Sequence, residues 1–213
     1  GIILSDAVVE YLLEGPLMAK KIFAKITFLL VLIFIWHTCD AVAEWNVVRK
    51  PSWNTNFLGV FFVNEKQGWS VGDNGVITHT DNGGIDWKSQ NSNTDTFLRA
   101  TYFTDEKNGW TVGDNGFIIN TNDGGNTWSS QNSNITDPLY SVYFVDKNVG
   151  MAVGGSVILR TNDGGINWEK RYSNSESVFL SIYLADANIG WVSGLNGQML
   201  YTANGGKTWN EKY

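Results

Sequence analysis

Cysteine is almost missing from this 213-residue sequence: Cys39 stands alone, so no disulfide can close within the chain and no cysteine-based metal cluster can form. Basic residues are scarce as well. Fifteen Lys and Arg face 21 Asp and Glu, and with a net charge of −6 and no basic cluster the chain is not expected to bind nucleic acid. Long apolar runs are lacking too, since Ile26 to Trp36 spans eleven residues where a membrane-spanning helix needs about 20. Proline occurs three times, and helical periodicity over some 20 residues is nowhere visible. What the chain has in plenty is ring and turn. Ten Trp, 23 Gly and 43% hydrophobic residues describe an ordered, turn-rich globular protein rather than a disordered one.

From Met18 the sequence has the three parts of a secretory signal: Lys20, Lys21 and Lys25, an apolar stretch from Phe28 to Trp36, and the small-x-small run Ala41-Val42-Ala43. Residues 18–43 are therefore expected to be a signal peptide cut between Ala43 and Glu44, and residues 1–17 an upstream extension foreign to the fold. Loss of residues 1–43 removes three lysines and four carboxylates, which leaves a chain of net charge −5.

Residues 44–213 repeat. The segments GWSVGDNGVITHTDNGGIDW, GWTVGDNGFIINTNDGGNTW, GMAVGGSVILRTNDGGINW and GWVSGLNGQMLYTANGGKTW end at Trp87, Trp128, Trp168 and Trp209, at spacings of 41, 40 and 41 residues. Each is preceded by a strand-like run, starting at Phe57, Leu98, Leu139 and Phe179. In these runs Val60, Thr101, Val142 and Ile182 share one face with Phe62, Phe103, Phe144 and Leu184. Gly59, Ala100, Ser141 and Ser181 share the other with Phe61, Tyr102, Tyr143 and Tyr183. Both faces are apolar or small, which suits a strand covered on each side by another sheet. Asn74-Gly75, Asn115-Gly116 and Asn196-Gly197 supply the positive φ angles of tight connections between the second and third strands. A fourth strand is expected to start at each terminal Trp. Four short antiparallel strands per unit of about 40 residues predict an all-β fold, a β-propeller with blades at about 57–90, 98–131, 139–171 and 179–213.

The turn before each fourth strand matches Ser/Thr-x-Asp/Asn-x-Gly-x-x-Trp, the Asp-box. Its copies are Thr80, Asn82, Gly84 and Trp87; Thr121, Asp123, Gly125 and Trp128; Thr161, Asp163, Gly165 and Trp168; and Thr202, Asn204, Gly206 and Trp209. The Asx side chain is expected to accept backbone N–H groups two residues on, the Gly to take a positive φ, and the Trp to cover the turn. All sixteen residues therefore read as structural. The spacing differs from a calcium-binding D-x-D-x-D-G loop, and Asn replaces Asp at positions 82 and 204, so no metal is expected.

Across Trp45 to Tyr213 the G-W-x-V-G-x-x-G strand and the T-x-D-G-G-x-x-W turn resemble the photosystem II assembly and stability factor family. That resemblance implies a propeller without catalytic activity or cofactor that binds a protein partner in the periplasm, the thylakoid lumen or outside the cell. The partner-binding arginine patch of that family would have to come from Arg49, Arg99, Arg160 and Arg171, the arginines left after cleavage.

Asp-boxes also occur in sialidases, which makes a glycan-processing or glycan-binding propeller the alternative, with carbohydrate as partner. A repeat segment of a larger cell-surface protein is the other. Against catalysis, the chain scarcely departs from its repeat, and no Glu lies in a motif of its own. His79 occupies the slot of Asn120, Arg160 and Tyr201, with nothing local that identifies an orienting carboxylate and a nucleophile, and reads as a rim residue. Trp69, Trp110 and Trp191 recur at one position and read as core. Finally, Trp45 to Lys50 looks like an isolated outer strand, yet the last repeat begins a fourth strand of its own at Trp209, so the propeller is expected to be an incomplete ring.

Overall fold

The computed structural model describes residues 55–212, all within one compact unit, Val48–Tyr213. The expected upstream extension, the cleavage site at Ala43 and Glu44, Arg49 and the outer strand at 45–50 lie outside the described residues.

Among the described residues sixteen strands form four separate sheets, each a simple antiparallel meander. The first blade is β1 (Phe57–Phe62), β2 (Gly68–Gly72), β3 (Ile77–Thr80) and β4 (Lys88–Gln90). The second is β5 (Leu98–Phe103), β6 (Gly109–Gly113), β7 (Ile118–Thr121) and β8 (Ser129–Gln131). The third is β9 (Ser141–Phe144), β10 (Gly150–Gly154), β11 (Val157–Thr161) and β12 (Glu169–Ser173). The fourth is β13 (Phe179–Leu184), β14 (Gly190–Gly194), β15 (Met199–Thr202) and β16 (Asn210–Glu211). In every blade the fourth strand begins just after the Trp, because the indole completes the preceding turn instead of pairing in the ladder.

The core is divided. One apolar cluster joins the first blade to the second through Trp69, Val71, Leu98 and Phe103, another joins the second to the third, and a last one joins the third to the fourth. Strands β2, β6 and β10 are buried along their whole length, whereas β4 and β8 are mostly exposed. The small residues of the first strands have a steric reason: a Cβ on Gly59 would lie 3.0 Å from the Cα of Ala100 in the next blade. Asn74 (φ 54°) and Gly75 (φ 67°) both adopt the left-handed backbone that the Asn-Gly pair favours.

Successive blades pack in order, and among the described residues no further blade covers the outward faces of the first and the fourth. Val60 is 65% exposed on β1, while its counterparts Thr101, Val142 and Ile182 are buried. The fold is thus an incomplete propeller of four four-stranded blades.

Candidate functional site

The Asp-box turn is built the same way four times. In the second blade the buried Thr121 hydroxyl accepts the N–H of Gly125 at 2.8 Å and that of Asp123 at 3.2 Å, and donates to Asp123 Oδ1 at 2.8 Å. Asp123 Oδ1 then accepts the N–H of Thr127 at 2.9 Å. The division of labour differs from the sequence expectation: the Thr closes the near part of the turn, and the Asx side chain reaches four residues ahead, not two. Thr80 with Asn82, Thr161 with Asp163 and Thr202 with Asn204 repeat these bonds. Gly84, Gly125, Gly165 and Gly206 all have positive φ. An amide oxygen serves as well as a carboxylate here because the acceptor's role is geometric.

The carboxylates nevertheless feel their donors. Asp163 is held below the ordinary carboxylate range, first by the backbone N–H of Asn167 and then by its side-chain amide. At Asp123 desolvation works against ionisation, but the bonds from Thr127 and Thr121 outweigh it, and its pKa is also lowered. A depressed folded-state pKa adds stability above the unfolded value, about 3.9, and that stability is lost as pH falls through the folded value. We therefore expect the denaturant midpoint to drop between about pH 5 and pH 2. Asp123→Asn with Asp163→Asn should make that drop shallower, and an unchanged acid slope would refute it.

The tryptophans meet across the blades. Trp69 stacks on Phe103 with ring centroids 3.6 Å apart, and Phe103 meets Trp128 edge-on at 6.0 Å. Trp110, Phe144 and Trp168 repeat the arrangement at 3.6 and 5.9 Å. The indole Nε1 of Trp69 donates to the Gly124 carbonyl and that of Trp110 to the Gly164 carbonyl, so the second strand of one blade grips the Asp-box of the next. Sequence reasoning missed a second grip at the same place. Gln90 donates to the Gly124 carbonyl at 2.8 Å and accepts from Trp128 Nε1 at 3.4 Å, and Gln131 does the same for Gly164 and Trp168. The Ser-Gln-Asn-Ser-Asn run shared by the first two repeats was the available signal. In the third blade Tyr172 holds the ladder position opposite Ile158 that Gln131 holds opposite Ile118, and the buried Nε1 of Trp209 has no hydrogen-bond partner.

Other candidates are dispersed. Arg99, at the start of β5, pairs with Asp114 and lies 5.0 Å over the Tyr140 ring. Its pKa is raised, chiefly by the bond to Asp114. Arg160, near the opposite end of its blade, is buried and donates to Asn162 and to the Ala187 carbonyl. Arg171 pairs with Glu169 on the outermost strand of the third blade. Among the described residues the arginines therefore form neither a patch nor a triad for a carboxylate. His79 is half-buried rather than a free rim residue: its Nε2 is 2.7 Å from Gln67 Oε1, and its ring lies 4.7 Å from that of Trp69. Desolvation lowers its pKa, and Lys88 adds to this, against the opposing pull of Asp81. Tyr102 sits in a row of first-strand rings, 4.7 Å from Phe61 and 4.6 Å from Tyr143. Burial and its bond to Tyr143 push its phenol well above the usual range. Among the described residues no three His, Cys, Asp or Glu side chains gather as metal ligands. Nor is any helix long and apolar enough to cross a membrane.

Four meander blades joined by Asp-boxes define the molecule as a propeller of the BNR-repeat class. The model of the photosynthesis system II assembly factor YCF48 family matches residues 86–140 and 131–212. The chain belongs to that family. Among solved structures, YCF48 bound to D1 peptide is similar at 17% identity and a TM-score of 0.53, over 77% of this chain and 84% of that one. YCF48 from Cyanidioschyzon merolae is similar at 18% identity and a TM-score of 0.63, over 76% of this chain and 57% of that one. The GH74 xyloglucanase from Xanthomonas campestris shares the fold at 11% identity and a TM-score of 0.60, over 79% of this chain and 32% of that one. Among curated proteins none matches.

Proposed function

We propose that this propeller is a non-catalytic scaffold, exported to the thylakoid lumen or periplasm, that binds a segment of another protein during assembly of photosystem II. The observation that carries the proposal is the family match over residues 86–212. The bonding pattern supports it, because the polar side chains that recur in the Asp-boxes are engaged within the fold. A relative solved with a D1 peptide supports peptide as the ligand class.

Titration of a labelled D1 peptide against the purified protein is expected to saturate, while a scrambled peptide of the same composition does not. Equal behaviour of the two peptides overturns the binding role. Export predicts that the secreted protein begins at Glu44 when its N-terminus is sequenced, and a chain retaining its leader would contradict it.

The glycan-processing alternative has only the shared fold in its favour. Sialosidase chemistry needs three arginines converging on one carboxylate, and Arg99, Arg160 and Arg171 do not converge. The protein is expected to leave a fluorogenic sialoside intact, and turnover abolished by a single Tyr or Glu substitution would reinstate an enzyme.

A further inference from the structure

In the first three blades the second-strand residues Trp69, Trp110 and Met151 stand in the ladder opposite His79, Asn120 and Arg160 of the third strands. At two of the three joints that third-strand residue is bulky and fills the space beside its partner. His79 lies over Trp69 with ring centroids 4.7 Å apart, and its Nε2 is 2.7 Å from Gln67 Oε1. Arg160 crosses to the fourth blade and donates to the Ala187 carbonyl at 2.9 Å. Asn120 is too short for either, and a cleft of about 420 Å³ lies between the second and third blades, with Asn120 on one wall and Asp163 on the other. The turns above it differ in the same way. Asn64 donates to Glu106 at 2.9 Å and ties the first blade to the second. At the corresponding places of the next joint Asp105 is held by Asn108 of its own blade at 2.8 Å, and Lys147 is free. Among the described residues the half-buried Asn120 amide, the Ser130 hydroxyl and the Lys147 ammonium border the cleft without a hydrogen bond or ion pair of their own.

We propose that this cleft binds a short neutral saccharide. Its walls mix donors and acceptors: Asn120 offers both side by side, Asn108 keeps an oxygen, Asn132 keeps its N–H pair, Lys147 donates and Asp163 accepts. A hydroxyl both donates and accepts, so a polyol can meet all of these groups, and neighbouring hydroxyls match the paired donor and acceptor of an amide. An anion would face the Asp163 carboxylate, and a cation the Lys147 ammonium. A peptide segment needs apolar pockets for its side chains, and the cleft offers none, because Trp110 is 2% exposed and Ile166 projects into solvent at 79%. Small-molecule sites occupy about 300–1,000 Å³, so the volume limits the ligand to a short saccharide. With no ring face free for stacking, binding is in the millimolar range. The site stands apart from the peptide-binding reading and does not depend on it.

Glucose, N-acetylglucosamine, lactose and cellobiose are the probes, titrated into the isotope-labelled protein while its NMR spectrum is followed. At least one of them is expected to move the side-chain amide signals of Asn120 and Asn132 and the Gly164 N–H in a saturable way. Asn120→His gives the second blade the residue that fills the first joint, and should abolish the response while the thermal unfolding midpoint holds. Lys147→Ala, on an exposed turn, should weaken binding about tenfold. If Asn120→His fails to fold, Lys147→Ala decides. No response to any of the sugars overturns the proposal, as do shifts confined to other parts of the molecule or a response unchanged by the substitutions. Phosphate or the D1 peptide moving these signals where the sugars do not overturns it as well, and failure here leaves the D1 titration unaffected.

Discussion

Replacing Trp128 with Ala is expected to lower the unfolding free energy by about 3–5 kcal/mol, the range for deleting a large buried ring. The ring is 6% exposed and backs Phe103, which in turn carries the stacked Trp69 of the preceding blade. Its loss opens a cavity in the joint between the first two blades and removes the indole N–H that Gln90 Oε1 accepts. Trp87→Ala is the internal comparison. It removes the same motif residue from the first blade, where the ring is only half-buried and its Phe62 partner is 40% exposed, and should cost less. Denaturant midpoints of both variants decide the matter: an unchanged midpoint for Trp128→Ala would remove the ring from the core.

A comparable loss is expected from a single added methyl at Gly116, for a different reason. Gly116 has φ +67°, and a Cβ there would run into the carbonyl oxygen of Ile135 and lie 2.8 Å from Ser133 Oγ. Left-handed backbone costs an L-residue about 1–3 kcal/mol and overpacking a further 1–3, so Gly116→Ala should destabilise by about 2–6 kcal/mol. Gly197 has the same role in the fourth blade, with φ +76° and no atom within 4 Å of its Cβ position. Gly197→Ala should therefore show the conformational cost alone. Equal losses at the two sites would mean that the loop beneath Gly116 yields, and that the clash carries no weight.

Much of the fold was legible because the information is local and repeated. Asn-Gly pairs announce their backbone angles, and the T-x-D/N-x-G-x-x-W register announces a turn whose bonds all lie within eight residues. The site was less legible, because its grips run between blades. Gln90 holds Gly124, 34 residues away, and Trp69 holds the same carbonyl from 55 residues before it, and no local pattern reports such a bond. The arginines illustrate the opposite case. Their count permits a triad, but each of the three described has partners of its own: Arg99 pairs with Asp114, Arg171 with Glu169, and Arg160 donates to Asn162 and the Ala187 carbonyl.

By itself, then, the sequence determined the period, the strand order within each blade, and the residues that turn the chain. These follow from backbone preferences and alternation acting over a few positions. Tertiary structure alone decided which rings stack, which polar groups clamp neighbouring blades, and which faces stay open. Trp69 and Trp191 occupy the same place in their repeats, yet one is fully buried and the other is 37% exposed. The difference lies in whether a following blade packs against the ring. Burial depends on neighbours across the fold, and identical repeat positions carry no record of them.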